Sequence, residues 1–299
     1  MGIEFQVDLP APLDIAGSLE LFRRSGDDLI DRWDGRRLIR AVPVGDGVWV
    51  PFAATASGSI AAPAFDVVVD EPSHTDRVRS EVSTTFTDAP PGYAALLKLD
   101  PVLNELNAKF PGIRQIRQLD LFTALIRCIS AQQVNLRWAV TTRRRLAEKF
   151  GHRHCVDGAQ VYSLDARRIA RADPVEIRAL QFTTSKSVSI VAVAQRLVEE
   201  GLTSETLRDA SDEEVVARLT SIKGIGPWSA EWVMARTLGR PCVVAGDLGV
   251  RKAVGLAYLG APLPSEAEVR KATAHWGESA GVAQALLLTA LGEGVLTKT

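Results

Sequence analysis

The sequence is poor in cysteine: Cys128, Cys155 and Cys242 are its only three. They are too few and too widely spaced for a disulfide framework or a thiolate metal site, and a reducing compartment suits them. Neither charge is in excess, with 35 Lys and Arg against 36 Asp and Glu, so the chain as a whole carries no sign of a polyanion partner. No apolar run approaches the roughly 20 residues of a membrane span. The start, MGIEFQVDLP, lacks the basic and apolar regions of a secretory signal. Internal repeats and low-complexity stretches are missing as well. A soluble, intracellular protein is expected, and 299 residues are enough for two domains.

Two periodicities divide the chain. Up to Phe86, alternating runs at Arg37 to Val44 and Val48 to Ala54 flank Gly45-Asp46-Gly47, a hairpin signal. Phe65 to Val69 is a further strand candidate, and helical patterns lie near Ile15 to Arg24 and Ser73 to Phe86. Residues 1–90 therefore read as a small α+β domain with an antiparallel sheet. Asp88-Ala89-Pro90-Pro91-Gly92 breaks the chain as a linker does. Beyond it, residues 91–299 read as an all-α region of eight to ten short helices. Asp100-Pro101 is a helix start, and Ser211 with Glu214 and Ser265 with Glu268 are capping boxes. Apolar residues recur at helical intervals in Leu119 to Ser130, Val134 to Phe150, Lys186 to Glu200 and Ala280 to Leu291.

Within that region, LTSIKGIGPWSAEWVMAR (219–236) joins two helices by a Gly-Ile-Gly turn, and a lone acid, Asp247, follows a short loop. Gly224 and Gly226 can take positive φ and allow close approach of another backbone, while Pro227 suits a first helical position. Free amides at such a helix start favour an anion, and phosphate is the natural one. An ordinary helical corner packed by glycine is the competing reading. Local charge favours the first. From 219 to 255 the bases Lys223, Arg236, Arg240, Arg251 and Lys252 face only Glu231 and Asp247. From 132 to 154, Arg137, Arg143, Arg144, Arg145, Lys149 and Arg153 face Glu148. The Arg143 to Arg145 run also reads as a solvated helix face.

The hairpin, the following VVAGDLGVRKAV and the upstream LIRCISAQQVNLRWA resemble the helix-hairpin-helix DNA glycosylases, most closely the bacterial 3-methyladenine DNA glycosylase II type. LDPVLNELNAKFPGIR resembles that family's lead into its helical domains, and the family also places a small antiparallel sheet first. The resemblance implies two helical lobes with an active-site cleft between them.

It also implies roles for particular residues. Asp247 falls on the catalytic carboxylate, which stabilises the oxocarbenium-like sugar formed as an N-glycosidic bond breaks. As a bare residue, Asp247 also reads as the cap of the helix that follows, and both roles can coexist. Backbone-cleaving relatives carry a Schiff-base lysine where this chain has Trp228, which implies a monofunctional enzyme. Lys223 lies across the turn as a phosphate contact, and Arg251 and the Gly224-Ile225-Gly226 turn join it on DNA. Trp228 and Trp232, four residues apart, are implied pocket walls for a cationic purine, with plain core packing left open for Trp232.

Gln133, next to Gln132, matches the wedge that fills the gap of an extruded base, where many relatives have leucine; a helix-capping Gln pair is the alternative. Trp276, in HWGESAGVAQALLL, is a further pocket candidate that also reads as core. Small residues near Gly281 stand where relatives carry a stacking ring, which implies a wider pocket. Water alone serves the hydrolysis, and the chain has no cysteine set for an iron–sulfur cluster. Carbonyls of Thr220, Ile222 and Ile225 are candidates to hold Na+ or K+. The expected partner is double-stranded DNA with alkylated bases, met by a monomer in the bacterial cytoplasm at the nucleoid, without a membrane. A non-catalytic DNA-binding module and a bifunctional glycosylase and lyase are the alternatives.

Overall fold

In a computed structural model, which describes residues 2–45 and 47–296, the expected strands pair into an antiparallel sheet. Strands β1 (Ile3–Asp8), β2 (Arg32–Trp33), β3 (Arg37–Gly45), β4 (Val48–Ser59) and β5 (Ala62–Val69) lie in the order β1-β5-β4-β3-β2. Asp46, in the expected turn, lies outside the described residues, but β3 and β4 pair around it with Val42 opposite Val50. Neither β1 nor β2 is among the expected strands, although Ile3, Phe5 and Val7 alternate with Glu4, Gln6 and Asp8 along β1. The first is a largely exposed edge strand, and the second has only two residues.

Both faces of the sheet are covered, and the alternation along β3 shows how. Leu38 and Val42 point with Phe52 and Phe65 into a core closed by Leu19 of helix Ile15–Ser25 and Val78 and Val82 of helix Thr75–Ser83. Ile39 and Ala41 point the other way, onto Val156 and Val161. Those two belong to a hairpin, His152–Val156 with Ala159–Ser163, set among the helices. The region after the linker is thus helical with one β-hairpin rather than helical throughout. Its turn, Asp157-Gly158, has φ of 46° and 70°, as a tight two-residue hairpin requires.

The cut at residue 90 is not clean either. Thr87 N donates to Gln115 O at 2.8 Å, Arg117 N donates to Thr85 O at 2.8 Å, and Ile116 enters the sheet's own core. Beyond the linker there are thirteen α-helices among the described residues, because segments such as Ala166–Ile169, Pro174–Ala179 and Ser204–Arg208 are too short to show a period. The expected starts at Asp100, Ser211 and Ser265 all cap through their side chains.

These helices bury two separate cores. One gathers residues from Leu121 to Met234, and the other joins Tyr93 to Ile113 with Ala245 to Ala290. The chain enters the second lobe, builds the first and returns, so segments 219–236 and 243–250 meet where the lobes join. Among the described residues no helix is long and apolar enough to cross a membrane.

Candidate functional site

The turn between helices Asp212–Thr220 and Pro227–Arg236 is pinned from below by Ile222 and Ile225, 4% and 5% exposed. Gly224 has φ of 89°, and a Cβ there would lie 2.1 Å from Ser189 Oγ on helix Thr184–Glu200. Conformation and close packing both demand glycine there. Gly226 differs from expectation: its φ of −110° and ψ of −179° are extended, and a Cβ would meet nothing within 4 Å. Nothing inside the protein requires glycine at 226, which leaves that side of the turn open to an outside body. Gly226 caps the helix without a side chain, Pro227 has no N–H, and the amides of Trp228 and Ser229 find no acceptor among the described residues. Such unpaired first-turn amides bind anions. Lys223 is exposed on the same turn.

A second loop meets this turn. Gln132 Nε2 donates to Gly224 O at 3.1 Å, while the neighbouring Gln133 is exposed with φ of 53°. The reading of a Gln pair as helix cap fails, because Asn135 caps helix Leu136–Phe150 by accepting from Trp138 N at 2.8 Å.

Asp247 ends a turn in which its amide donates to Val244 O at 3.0 Å. Its Oδ1 accepts from the amides of Gly249, at 2.8 Å, and Val250, at 3.1 Å, capping helix Leu248–Val254. Such a cap contributes about 1 kcal/mol and fixes the carboxylate's direction. Oδ2 has no partner among the described residues. Gly249 makes room, since a Cβ there would lie 3.1 Å from Oδ1 and 3.0 Å from Leu288. Trp228 Cδ1 stands 3.5 Å from where a Cβ on Gly246 would be, so the indole lies against the residue before the acid.

Two buried glutamines hold these parts together. Gln284 Oε1 accepts from Val244 N at 2.9 Å, and its Nε2 donates to Gln115 Oε1 at 3.4 Å. Gln115 Nε2 in turn donates to Ala235 O at 2.6 Å, on the second hairpin helix. Sequence reasoning passed over both. Their only signal is a polar residue within an apolar stretch, as Gln284 is in VAQALLL.

Other expected residues are placed elsewhere. Trp276 is a core residue, 2% exposed and packed on Tyr258 and His275 at ring distances of 6.1 and 6.3 Å, so it is no pocket wall. Trp232 packs partly on the first lobe's core, with the Arg236 guanidinium 5.3 Å from its ring. Burial lowers the pKa of Arg236, against the opposing pull of nearby Asp247. Arg251 Nε is committed to Pro264 O at 2.8 Å. Arg240 closes on the carbonyls of Leu207 and Arg208 and on Asp212, and Arg143 is 6% exposed in an ion cluster. In the 219–255 stretch much of the basic excess is therefore structural, with Lys223 and Lys252 exposed, whereas in the 132–154 stretch Arg137, Arg144, Lys149 and Arg153 remain exposed.

At Gly281 a Cβ would enter open space. Burial pushes the Cys128 thiol up, and that of Cys242 to about 12, so neither is a nucleophile at neutral pH. No group of three or more His, Cys, Asp or Glu among the described residues could hold a metal ion.

Residues 126–279 match the model of the HhH-GPD superfamily base excision DNA repair protein. A DNA-3-methyladenine glycosylase of Bacillus subtilis (strain 168) is 30% identical over 185 residues, a stretch that spans 61% of this chain and 61% of that relative. The chain therefore matches less than two thirds of the relative's length. A solved 3-methyladenine DNA-glycosylase from Archaeoglobus fulgidus shares the fold with a TM-score of 0.84 at 24% identity, covering 96% of this chain and 98% of that one. An 8-oxoguanine glycosylase/lyase from Clostridium acetobutylicum, solved with double-stranded DNA, has a TM-score of 0.75 at 18% identity and covers 99% of this chain and 98% of that one.

Proposed function

The chain belongs to the HhH-GPD superfamily of base excision DNA repair proteins, and on that footing we propose that it is a monofunctional DNA glycosylase releasing alkylated purines of the 3-methyladenine and 7-methylguanine type. One observation carries the reading: Asp247 spends Oδ1 on its cap and keeps Oδ2 unpartnered, next to the residue against which Trp228 lies. A carboxylate held at one oxygen and open at the other suits a sugar that turns cationic.

The lesion is first extruded from the duplex. Trp228 stacks on the base, and its π face favours a purine made cationic by alkylation. As the C1′–N bond breaks, its electron pair leaves with the base, which departs neutral. Asp247 stabilises the positive sugar until water adds at C1′ and loses a proton, leaving an abasic site. The amides of Trp228 and Ser229 and the Lys223 ammonium hold a backbone phosphate. Gln133 enters the vacated stack. Carbonyls of Thr220, Ile222 and Ile225 are the groups that would hold a monovalent cation, which would supply positive charge toward the phosphate. The relative from Bacillus subtilis is named for 3-methyladenine, which supports the substrate class.

Strand cleavage through a Schiff base needs a lysine at the sugar, and Trp228 stands at that position of the hairpin while Lys223 lies across the turn. The protein acts as a monomer on double-stranded DNA in the bacterial cytoplasm. Incubation with a methylated duplex tests the proposal. Free 3-methyladenine with intact strands and no borohydride-trapped adduct supports it. A trapped adduct would make the enzyme bifunctional, and binding without base release would make it a non-catalytic module.

A further inference from the structure

A cluster of buried charge lies where the N-terminal sheet meets the helices. Asp28, Asp31, Arg40, Arg127 and Arg143 are each less than a tenth exposed. Arg127 Nη1 and Arg143 Nε both donate to Asp28 Oδ2, at 2.8 and 2.9 Å. Arg127 Nη2 and Arg40 Nε donate to the two oxygens of Asp31. Burial pushes both carboxyls up, but the arginines outweigh it, so Asp28 falls to about 2 and Asp31 lies below its usual value. Apolar packing would close such an interface without the desolvation cost. What directional bonds add is a fixed position for whatever they hold.

They hold Ser130, near the end of helix Leu121–Ala131. Arg143 Nη1 donates to Ser130 Oγ at 2.9 Å, and that hydroxyl donates to Arg127 O at 3.0 Å. From the other side Lys186 Nζ donates to Ser130 O at 3.0 Å. Three residues later stands Gln133, exposed in a left-handed conformation uncommon for a side-chain-bearing residue. The loop between is tied to the hairpin turn through Gln132. It is thus fastened at one end to the phosphate clamp and at the other to the N-terminal domain.

We infer that Asp28, Asp31, Arg127, Arg143 and Lys186 are positioning residues for base extrusion: the first four brace the loop of Gln133 against the N-terminal domain and Lys186 braces it against helix Thr184–Glu200, so that the side chain can hold a stack open. The inference rests on the wedge role proposed above. Opening a base step works against stacking, and a loop free to yield cannot sustain it. The N-terminal domain then serves extrusion through this brace. The brace matters only while the lesion is paired and stacked.

The test uses the full chain with Lys186→Met, Lys186→Arg and Asp28→Asn. Single-turnover release is measured from a lesion in a fully paired duplex and from the same lesion left unpaired in a bulge. Fluorescence of 2-aminopurine beside the lesion reports extrusion independently of chemistry. Lys186→Met and Asp28→Asn should slow release from the paired duplex roughly 10- to 100-fold, as misplacement by about an ångström does. Release from the bulge should stay near wild type, and Lys186→Arg should restore the paired rate. Equal loss on both substrates, or no loss on either, overturns the inference, as does weakened binding of undamaged duplex, which would make Lys186 a phosphate contact. Asp28→Asn removes one charge of a buried cluster; if it fails to fold, half-buried Lys186 still decides. If the wild type releases no base from either substrate, the glycosylase reading fails, and the inference then stands or falls on whether Lys186→Met abolishes the fluorescence rise.

Discussion

The amide of Val244 donates to Oε1 of Gln284 across 2.9 Å, inside the protein, and so ties the loop that delivers Asp247 to the last helix. Through Gln115 the same chain reaches the second hairpin helix at Ala235. The carboxylate and the hairpin turn therefore keep their spacing by way of two side chains, neither of which touches the carboxylate or the turn itself. Replacing Gln284 by Leu leaves the Val244 amide buried and unpaired, which costs about 1–3 kcal/mol. Single-turnover release should fall by about tenfold or more as Asp247 drifts, while duplex affinity is kept. Denaturant melts and a quenched-flow assay give the two numbers.

The two hairpin glycines should respond differently to alanine. At Gly224 the new Cβ meets Ser189 Oγ at 2.1 Å with φ at 89°, so Gly224→Ala should lower stability by roughly 1–3 kcal/mol. At Gly226 the Cβ meets nothing within 4 Å, so Gly226→Ala should melt within about 0.5 kcal/mol of wild type yet bind duplex DNA more weakly. A Gly226→Ala variant with unchanged DNA affinity would remove this turn from the interface.

The resemblance implies that the small residues near Gly281 set the pocket's width, and a side chain there has open space. Gly281→Tyr should leave release of 3-methyladenine near wild type and slow that of bulkier bases such as ethenoadenine by about tenfold, the effect of roughly 1.4 kcal/mol. A lesion panel read by chromatography checks this, and an unchanged range would place the wall elsewhere.

Asp120 gives a pH dependence of stability. Burial raises its carboxyl to about 6, against the lowering pull of its cap bonds to Thr123. The folded state therefore holds this proton more tightly than the unfolded chain does. The stabilisation is fully present below about pH 4, where both states are protonated, and is lost as pH rises through about 6. Asp120→Asn, which can still cap helix Leu121–Ala131, should lack this loss. The difference between the two proteins should change by about 2–3 kcal/mol between pH 4 and pH 7, seen in urea melts.

How much of this was legible in the sequence depends on the range of each signal. The caps at Asp100, Ser211 and Ser265, and the hairpin with its acid, are written in neighbouring residues, so local chemistry revealed them. The hairpin at Asp157-Gly158 was missed although its turn is a known local signal, because the helices around it set the expected period. Arg143 could not be read at all. On a helix rich in arginine it looks solvated, and only its partner Asp28, 115 positions away, turns it inward. Trp276 and Trp228 are likewise indistinguishable as letters; one packs on Tyr258, the other on Gly246. Gln115 and Gln284 join segments distant in sequence, and no spacing rule relates them.

In the proposed mechanism Asp247 works on the sugar through its unpartnered Oδ2 while Oδ1 holds the helix start. Asparagine at 247 can keep the cap through its carbonyl oxygen but carries no charge. The direct measurement is single-turnover release of 3-methyladenine by wild type and Asp247→Asn, with duplex binding and melting followed alongside. The expected result is a loss of rate of at least roughly a hundredfold, the usual effect of removing an electrostatic stabiliser, with folding and binding kept. Base release by Asp247→Asn at the wild-type rate would contradict it.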